Sequence, residues 1–320
     1  MRTYFKEIDI IKGITILLVI LGHSFCTFPL NLYDEFPVFG TIVRSFQMPL
    51  FFVASGFLFS TRGGWASLIK KKSVRLLVPY LVFGILSILL RFVFGAIIRG
   101  GTTGLPILLL KLLNGEFYWF LYTLLLVMFI VQLINSYKLL YITALTCIIL
   151  CIFTDIRLLN VMTLGKIIYY LPFFIFGMVI KKRYSQIMMI FEQYRQILCI
   201  TLTLLYAIAI YIDLKFCINV FSLYIIPVTG ILMVWGFSKI MTNYSHRFVD
   251  FFAHFGKYSL QYYLNHMLIL LPFYYMVSYI SNCPPILPLI TIFAGTVTTS
   301  YIMLRIELCS KALRAICGLK

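Results

Sequence analysis

Hydrophobic residues in this chain do not alternate with polar ones at the spacing of a half-buried strand or a surface helix. They run on in blocks of about twenty, separated by short stretches richer in glycine, proline and charge. Crossing the hydrocarbon core of a bilayer takes about 20 residues of helix. The blocks therefore predict transmembrane helices near residues 10–28, 39–60, 73–94, 117–135, 139–154, 164–180, 196–213, 219–238, 258–280 and 285–305. The fifth and sixth are short. The expected fold is an all-α, polytopic bundle of about ten transmembrane helices, one membrane-embedded domain over residues 1–320.

With 62% hydrophobic and 12% charged residues, the chain lies far from soluble domains, in which about a quarter of residues are charged. The net charge of +17 raises nucleic acid as a partner, and the placement of the basic residues argues against it. When the loops are assigned alternately to two sides, 19 of the 27 basic residues fall on the side of the N-terminus and 7 on the other, leaving Lys12. That is the positive-inside bias, so both termini are expected in the cytoplasm and the charge anchors topology. A cleaved signal peptide is the rival reading of the first block. No small-residue cleavage pattern follows it, and Phe25 before Cys26 does not suit a lipoprotein site, so the block is read as a retained helix. The eight cysteines form no C-x-x-C pair and no zinc spacing, and no metal is expected. Cys147 and Cys151 read as buried thiols one turn apart, while Cys217 and Cys283, both in predicted outward loops, leave a disulfide open.

Ionisable residues inside a membrane span are costly and are read first as functional. The first block carries Lys12 near one end and His23 near the other. On an α-helix their separation is three turns plus about 20°, so the two share a face and lie ~16 Å apart along the axis. Asp9, one turn before Lys12, shares that face; it reads either as half of an interfacial ion pair or as part of a site. In the second block Arg44 and Gln47 lie one turn apart at the depth of His23, and Pro49 frees the Ser45 carbonyl and bends the helix. Ser55 and Gly56 let a backbone or a ligand approach near the inner end. Lys72 and Arg75, at i and i+3 where the third block begins, place two cations at the inner mouth that suit phosphate oxygens. Pro79, four residues on, leaves the Arg75 carbonyl unpaired. Glu116, Tyr118 and Trp119 open the fourth block at the outer face, as a belt of interfacial aromatics or a wall for the C–H face of a sugar. The fifth to eighth helices read as scaffold. In the ninth, His266 falls ~12 Å past the start, and Gln261 and Asn265 complete a polar stripe of the kind that membrane helices use to hold one another.

In their order along the chain these stretches have a family likeness: Ile8-Asp9-Ile10-Ile11-Lys12-Gly13 leading to Gly22-His23, Ser45 through Phe52 with Ser55-Gly56-Phe57, Lys72 through Tyr80, Tyr118 through Leu121, and Gly256 through His266. Together they resemble acyltransferase family 3, the integral membrane O-acyltransferases, and most closely its fucose 4-O-acetylase-like branch. The resemblance implies a multi-pass enzyme of a bacterial-type cytoplasmic membrane that moves an acetyl group from cytoplasmic acetyl-CoA to a hydroxyl of a surface polysaccharide or lipid-linked sugar. The family's basic residue, ten intervening positions and histidine fall on Lys12 and His23. Its paired basic motif falls on Lys72 and Arg75, with lysine where many members carry arginine, and Gln47 stands where related sequences often have histidine. The expected catalytic set is His23, which the resemblance implies, with Asp9 and Arg44, which the residues themselves suggest. His23 acts as general base or as a nucleophile forming an acetyl-histidine, and Arg44 stabilises the oxyanion. Lys12, Lys72, Arg75 and Ser55 are expected to hold acetyl-CoA, and Gln47, Glu116, Trp119 and His266 to meet the acceptor. Membrane lipid and a glycan or lipid-linked sugar are the expected partners. A transporter or flippase for a lipid-linked sugar is the alternative; some carriers show repeated halves, and no clear internal repeat is present here.

Overall fold

A computed structural model describes the chain except residues 1–3, 26–35, 62–63, 100–103, 135, 156–158, 160, 245, 279–285 and 320, and the side chains of 67, 71, 93–99, 243–244, 246, 271, 274–275 and 278. The helices are, in order, α1 (Lys6–Phe25), α2 (Pro37–Ser45), α3 (Gln47–Leu58), α4 (Gly64–Ser67), α5 (Val74–Arg99), α6 (Leu105–Leu113), α7 (Trp119–Leu133), α8 (Tyr137–Phe153), α9 (Leu164–Lys182), α10 (Tyr184–Phe216), α11 (Ile226–Tyr244), α12 (His246–Lys257), α13 (Ser259–Ser278), α14 (Ile286–Cys309) and α15 (Lys311–Ile316). No strand occurs among the described residues. Among the described residues seven helical segments are long and apolar enough to cross a membrane: Lys6–Phe25, Pro37–Leu58, Gly64–Phe92, Val161–Lys182, Tyr184–Phe216, Phe221–Thr242 and Ile286–Cys309. The other three expected spans are also helical. Of these, α7 and α8 are shorter, at 15 and 17 residues, and α13 is made less apolar by Gln261, Asn265 and His266. The chain is a multi-pass, all-α membrane protein.

Several boundaries differ from expectation. The second span breaks at Phe46 (φ −124°, ψ −9°) into α2 and α3, three residues before Pro49. That proline sits in the first turn of α3, where its missing N–H would have no helical partner in any case. Tyr206 of α10 services the break: its hydroxyl donates to the Ile42 carbonyl (3.2 Å) and lies 2.8 Å from the Ser45 hydroxyl. The expected loop between the second and third spans holds α4 and a π-helical turn, Leu68–Ser73. The short α6 was not expected at all; the Tyr80 hydroxyl ties it to α5 by donating to the Leu112 carbonyl. The ninth span is α13, preceded by the separate α12, in which Phe251 and His254 share the helix with the exposed Asp250 and Lys257. Cys217 is exposed and Cys147 and Cys151 are buried, while Cys283, the other half of the conceivable disulfide, lies outside the described residues.

Two backbone-on-backbone crossings organise the core. A Cβ on Gly13 of α1 would stand 1.9 Å from the Phe252 carbonyl oxygen of α12, and one on Gly256 would stand 1.6 Å from that of Asp9. The second crossing is built the same way: a Cβ on Gly56 of α3 would meet the Phe174 carbonyl of α9 at 1.9 Å, and one on Gly177 the Val53 carbonyl at 2.0 Å. Without a side chain at these points the helices pack at van der Waals contact, the means by which helices associate in lipid. Gly56 is thus occupied by a helix rather than a ligand.

Side-chain contacts define one end of the bundle, hereafter the first end. There Lys6 pairs with Asp250 at 3.0 Å, and the Tyr184 hydroxyl donates to the buried Glu7 carboxylate. Lys181 Nζ lies 3.5 Å from the Phe5 ring centre, and Lys72 Nζ lies 3.6 Å from that of Phe59.

Candidate active site

The far end of α1 carries the candidate chemistry. From Gly13 to His23, and from Gly256 to His266, the chain advances ten residues, or about 15 Å of helix. The two stretches of chain that cross at these glycines, α1 and the end of α12 continuing into α13, therefore bring two histidines to one level. The imidazoles stand 5.3 Å apart, centre to centre, with their planes at 44°. Arg44 and Gln47 close the site from α2 and α3. A Cβ on Gly22 would lie 3.2 Å from Gln47 Nε2 and 3.5 Å from Arg44 Cγ, so glycine is what lets these polar side chains approach beside His23. The charge of Arg44 acts on both His23 and Tyr170.

His266 is fully buried; its Nδ1 lies 3.2 Å from the Tyr262 carbonyl, and its Nε2 has no hydrogen-bond partner. The rest of the polar stripe on α13 does what such stripes do in membranes. Gln261 Nε2 donates to the Cys317 carbonyl at 2.7 Å, and Asn265 Nδ2 to the buried Glu307 carboxylate at 2.8 Å. A third tie comes from Tyr118, whose hydroxyl donates to the Leu264 carbonyl at 3.0 Å. Tyr118 holds a left-handed backbone, φ +43°, a conformation that costs a non-glycine residue of order 1–3 kcal/mol and persists where surrounding contacts impose it. Here the imposing contacts are those of a buried ring bonded to α13.

Aromatic rings continue the site away from the histidines. His266 packs on Tyr263 (5.4 Å), Tyr263 on Phe120 (5.4 Å), and Phe120 on Phe52 (5.2 Å). Phe52, Tyr170 and Trp119 then form a stack with centre distances of 4.5 and 5.3 Å, and Lys166 Nζ stands 4.9 Å from the Trp119 ring centre. Trp119 is therefore anchored among protein rings. Glu116 is exposed, 3.8 Å from Lys111, and its charge acts on Lys166. Beside Arg44 a cleft of about 330 Å³ opens between α2, α9 and α10, lined by Thr41, Arg44, Ser45, Tyr169, Asp213 and Ser222. Lys166, Tyr170 and Asp213 belong to helices that the sequence pattern presents as scaffold; the cue available in the chain is a lysine and two tyrosines at the start of an otherwise apolar span.

The residues expected to hold the acyl donor lie at the first end. Lys12 pairs with Asp9 at 2.7 Å, both side chains largely covered. Asp9 is fourteen residues from His23 on the same helix, about 21 Å by helical rise, and its carboxylate is paired with Lys12. Lys72 lies in the π-helical turn and stacks on Phe59, while Arg75 is exposed in the first turn of α5. The Arg75 carbonyl, freed by Pro79, is covered by the C-terminal segment, since a Cβ on Gly318 would lie 2.7 Å from it. Ser55 is half-buried beside the Gly56 crossing. Among the described residues no group of three or more histidine, cysteine, aspartate or glutamate side chains could hold a metal ion.

Comparison with protein families matches one family model, described as an acyltransferase domain, over residues 5–305. Comparisons with curated proteins and with solved structures gave no match. The matched range contains both glycine crossings, the histidine pair and the cations of the first end, and the chain belongs to acyltransferase family 3.

Proposed function

We propose that this membrane acyltransferase moves an acetyl group from acetyl-CoA, entering at the first end from the cytoplasm, to a hydroxyl of a surface polysaccharide or lipid-linked sugar at the far end of α1. The setting is a bacterial-type cytoplasmic membrane. The observation that carries the reading is the polarity of α1: Lys12 at the first end, and His23 beside Arg44, Gln47 and a second imidazole at the other. Lys72, Arg75 and Lys12 supply the positive charge that phosphates seek, and the acyl arm runs along α1 toward His23. His23 removes the proton from the acceptor hydroxyl as that oxygen attacks the thioester carbonyl. Arg44 stabilises the negative charge that develops on the carbonyl oxygen, an effect enlarged by the low dielectric of the site. The departing thiolate recovers the proton from His23. The cleft beside Arg44 receives the acceptor, whose hydroxyls suit its mixture of hydroxyl, guanidinium and carboxylate groups. The test is transfer of labelled acetyl from acetyl-CoA to a lipid-linked oligosaccharide by the purified protein in nanodiscs. His23→Ala is expected to lower kcat by about 100-fold or more; transfer at the wild-type rate removes His23 from the chemistry.

A further inference from the structure

Resting on that reading of His23, we infer that His266 fixes the tautomer of His23 and carries part of its charge during transfer. It does for this base what a buried carboxylate does for the histidine of a hydrolytic triad.

The inference starts from proton inventory. A backbone carbonyl only accepts, so the contact between His266 Nδ1 and the Tyr262 carbonyl (3.2 Å) requires the ring proton to sit on Nδ1. A neutral imidazole has one N–H, which leaves His266 Nε2 with a bare lone pair. That atom is fully buried and has no partner, a state that costs on the order of 1–3 kcal/mol unless something uses it. The candidate donor is the neighbouring ring. Two imidazoles joined by an N–H···N hydrogen bond have centres about 5 Å apart, and His23 and His266 stand at 5.3 Å. A rotation of the His23 ring that aims its N–H at His266 Nε2 closes the bond at that separation. His23, to act as a base, must present a lone pair to the acceptor and point its own N–H elsewhere; His266 Nε2 is a ready acceptor for it.

The position of His266 is held more tightly than packing alone requires. Residues 261, 264 and 265 are each tied to another element, through Cys317, Tyr118 and Glu307. Three ties within about a turn and a half of His266 fix the rotation of α13, and with it the direction of the imidazole, as a preorganised site demands. The rival acceptor is Gln47 Oε1, also buried and without a partner, on the Gly22 side of His23. Both atoms can only accept, and His266 is favoured because its ring stands at the 5.3 Å centre distance from His23 that an imidazole–imidazole hydrogen bond takes.

Protons balance throughout. The acceptor O–H proton passes to one nitrogen of His23, and the proton on the other stays shared with His266 Nε2. Collapse of the tetrahedral adduct breaks the C–S bond, and the thiolate takes the transferred proton back. Hydroxyl and thioester become ester and thiol, with both imidazoles returned to neutrality.

The experiment compares two side chains of similar volume in the full-length protein in nanodiscs, reading kcat and KM for acetyl-CoA. His266→Met fills the space without a good acceptor, and His266→Gln restores a carbonyl oxygen. We expect His266→Met to lose about 100-fold in kcat with KM changed less than about threefold, and His266→Gln to recover at least about tenfold of that loss. Nitrogen-15 histidine spectra of the wild type should contain one imidazole protonated at Nδ1 and bare at Nε2, a readout that needs no variant. Equal loss in the Met and Gln variants would reduce His266 to a packing residue and overturn the inference. So would full activity of His266→Met, or a loss confined to Gln47→Leu. Activity retained by His23→Ala would instead sink the underlying reading of the base, so the two failures are distinguishable.

Discussion

Replacing Gly256 with alanine places a methyl carbon 1.6 Å from the Asp9 carbonyl oxygen, 2.5 Å from its carbon and 2.9 Å from Asp9 Cα. Cβ atoms essentially never approach another heavy atom within 3.0 Å, so α1 and α12 must part by at least about 1.4 Å at that point. No flexible side-chain tip is available to yield, because both surfaces are backbone. Overpacking of this kind costs about 1–3 kcal/mol, which should appear as a clear fall in melting temperature in detergent micelles. The functional consequence is larger. His23 and His266 each lie ten residues beyond the crossing on their own stretch of chain, so parting the two helices moves the imidazoles relative to one another by a distance of the same order. Misplacing reacting groups by about 1 Å costs roughly 100-fold in rate. Gly256→Ala should therefore lose about 100-fold in kcat for acetyl transfer while KM for acetyl-CoA changes little. The control is Gly84→Ala, whose Cβ would meet only the Leu112 Cδ1 tip at 2.4 Å; rotation of that leucine relieves the clash, and activity should stay near wild type. A folded Gly256→Ala protein with wild-type melting and wild-type kcat would refute the coupling of crossing to site.

Further outcomes can be checked alongside. Acetyl-CoA or CoA should raise the melting temperature of the wild type by mass action, and the double variant Lys72→Ala with Arg75→Ala should lose that rise while expressing normally; a flippase with no acyl donor would give no rise in either protein. Asn265→Leu removes the donor to the buried Glu307 carboxylate, costing about 1–3 kcal/mol, and Glu307→Gln should be milder because it keeps an acceptor for Asn265; equal destabilisation in calorimetry would contradict the pairing. Burial, then Lys257 and Arg305, lower the pKa of His254 on α12 below the usual histidine value. The folded state therefore disfavours a proton that the unfolded chain accepts, and stability should fall as pH drops below about 6.5. His254→Gln should flatten that decline in melting temperature between neutral and mildly acidic pH.

The overall class could be read from the chain because long apolar blocks have few uses, and the positions of Lys12, His23, Arg44 and Gln47 followed from helical rise alone. What could not be read was which polar residues meet across helices. Glu307 lies near the end of the last span, where no sequence pattern links it to Asn265 of α13 or to Cys317 beyond α15, the two side chains that bond to it. Lys166 and Tyr170 belong to a stack whose other members are some 50 to 120 residues away, and no local spacing encodes such contacts. Gln47 and Arg44 were placed at the right depth, yet the break at Phe46 assigns them to different helices, because a proline in the first turn of a helix is compatible with starting one there. Asp9 shares a face with Lys12, and the ion pair that spacing allows is formed.

Hydrogen-bond accounting in a dry environment separates residues that sequence pattern treats alike. Gln261, Asn265 and His266 form one stripe on α13, and in lipid each polar group left alone carries a cost. Gln261 and Asn265 meet part of that cost with donors matched to a carbonyl and a carboxylate on the C-terminal elements, which holds the bundle together, while Asn265 Oδ1 is buried without a partner. His266 differs in its surroundings: its Nδ1 is matched within its own helix, its Nε2 is not, and its ring stands 5.3 Å from that of His23. An unmatched lone pair between a base and an aromatic wall has no structural return, and a leucine or methionine there would pack at lower cost. The residue makes physical sense if that lone pair is occupied during turnover. On this argument Gln261→Leu should weaken the fold more than the chemistry, His266→Met the chemistry more than the fold, and the reverse order in paired melting and kcat measurements would show that the stripe serves a single purpose.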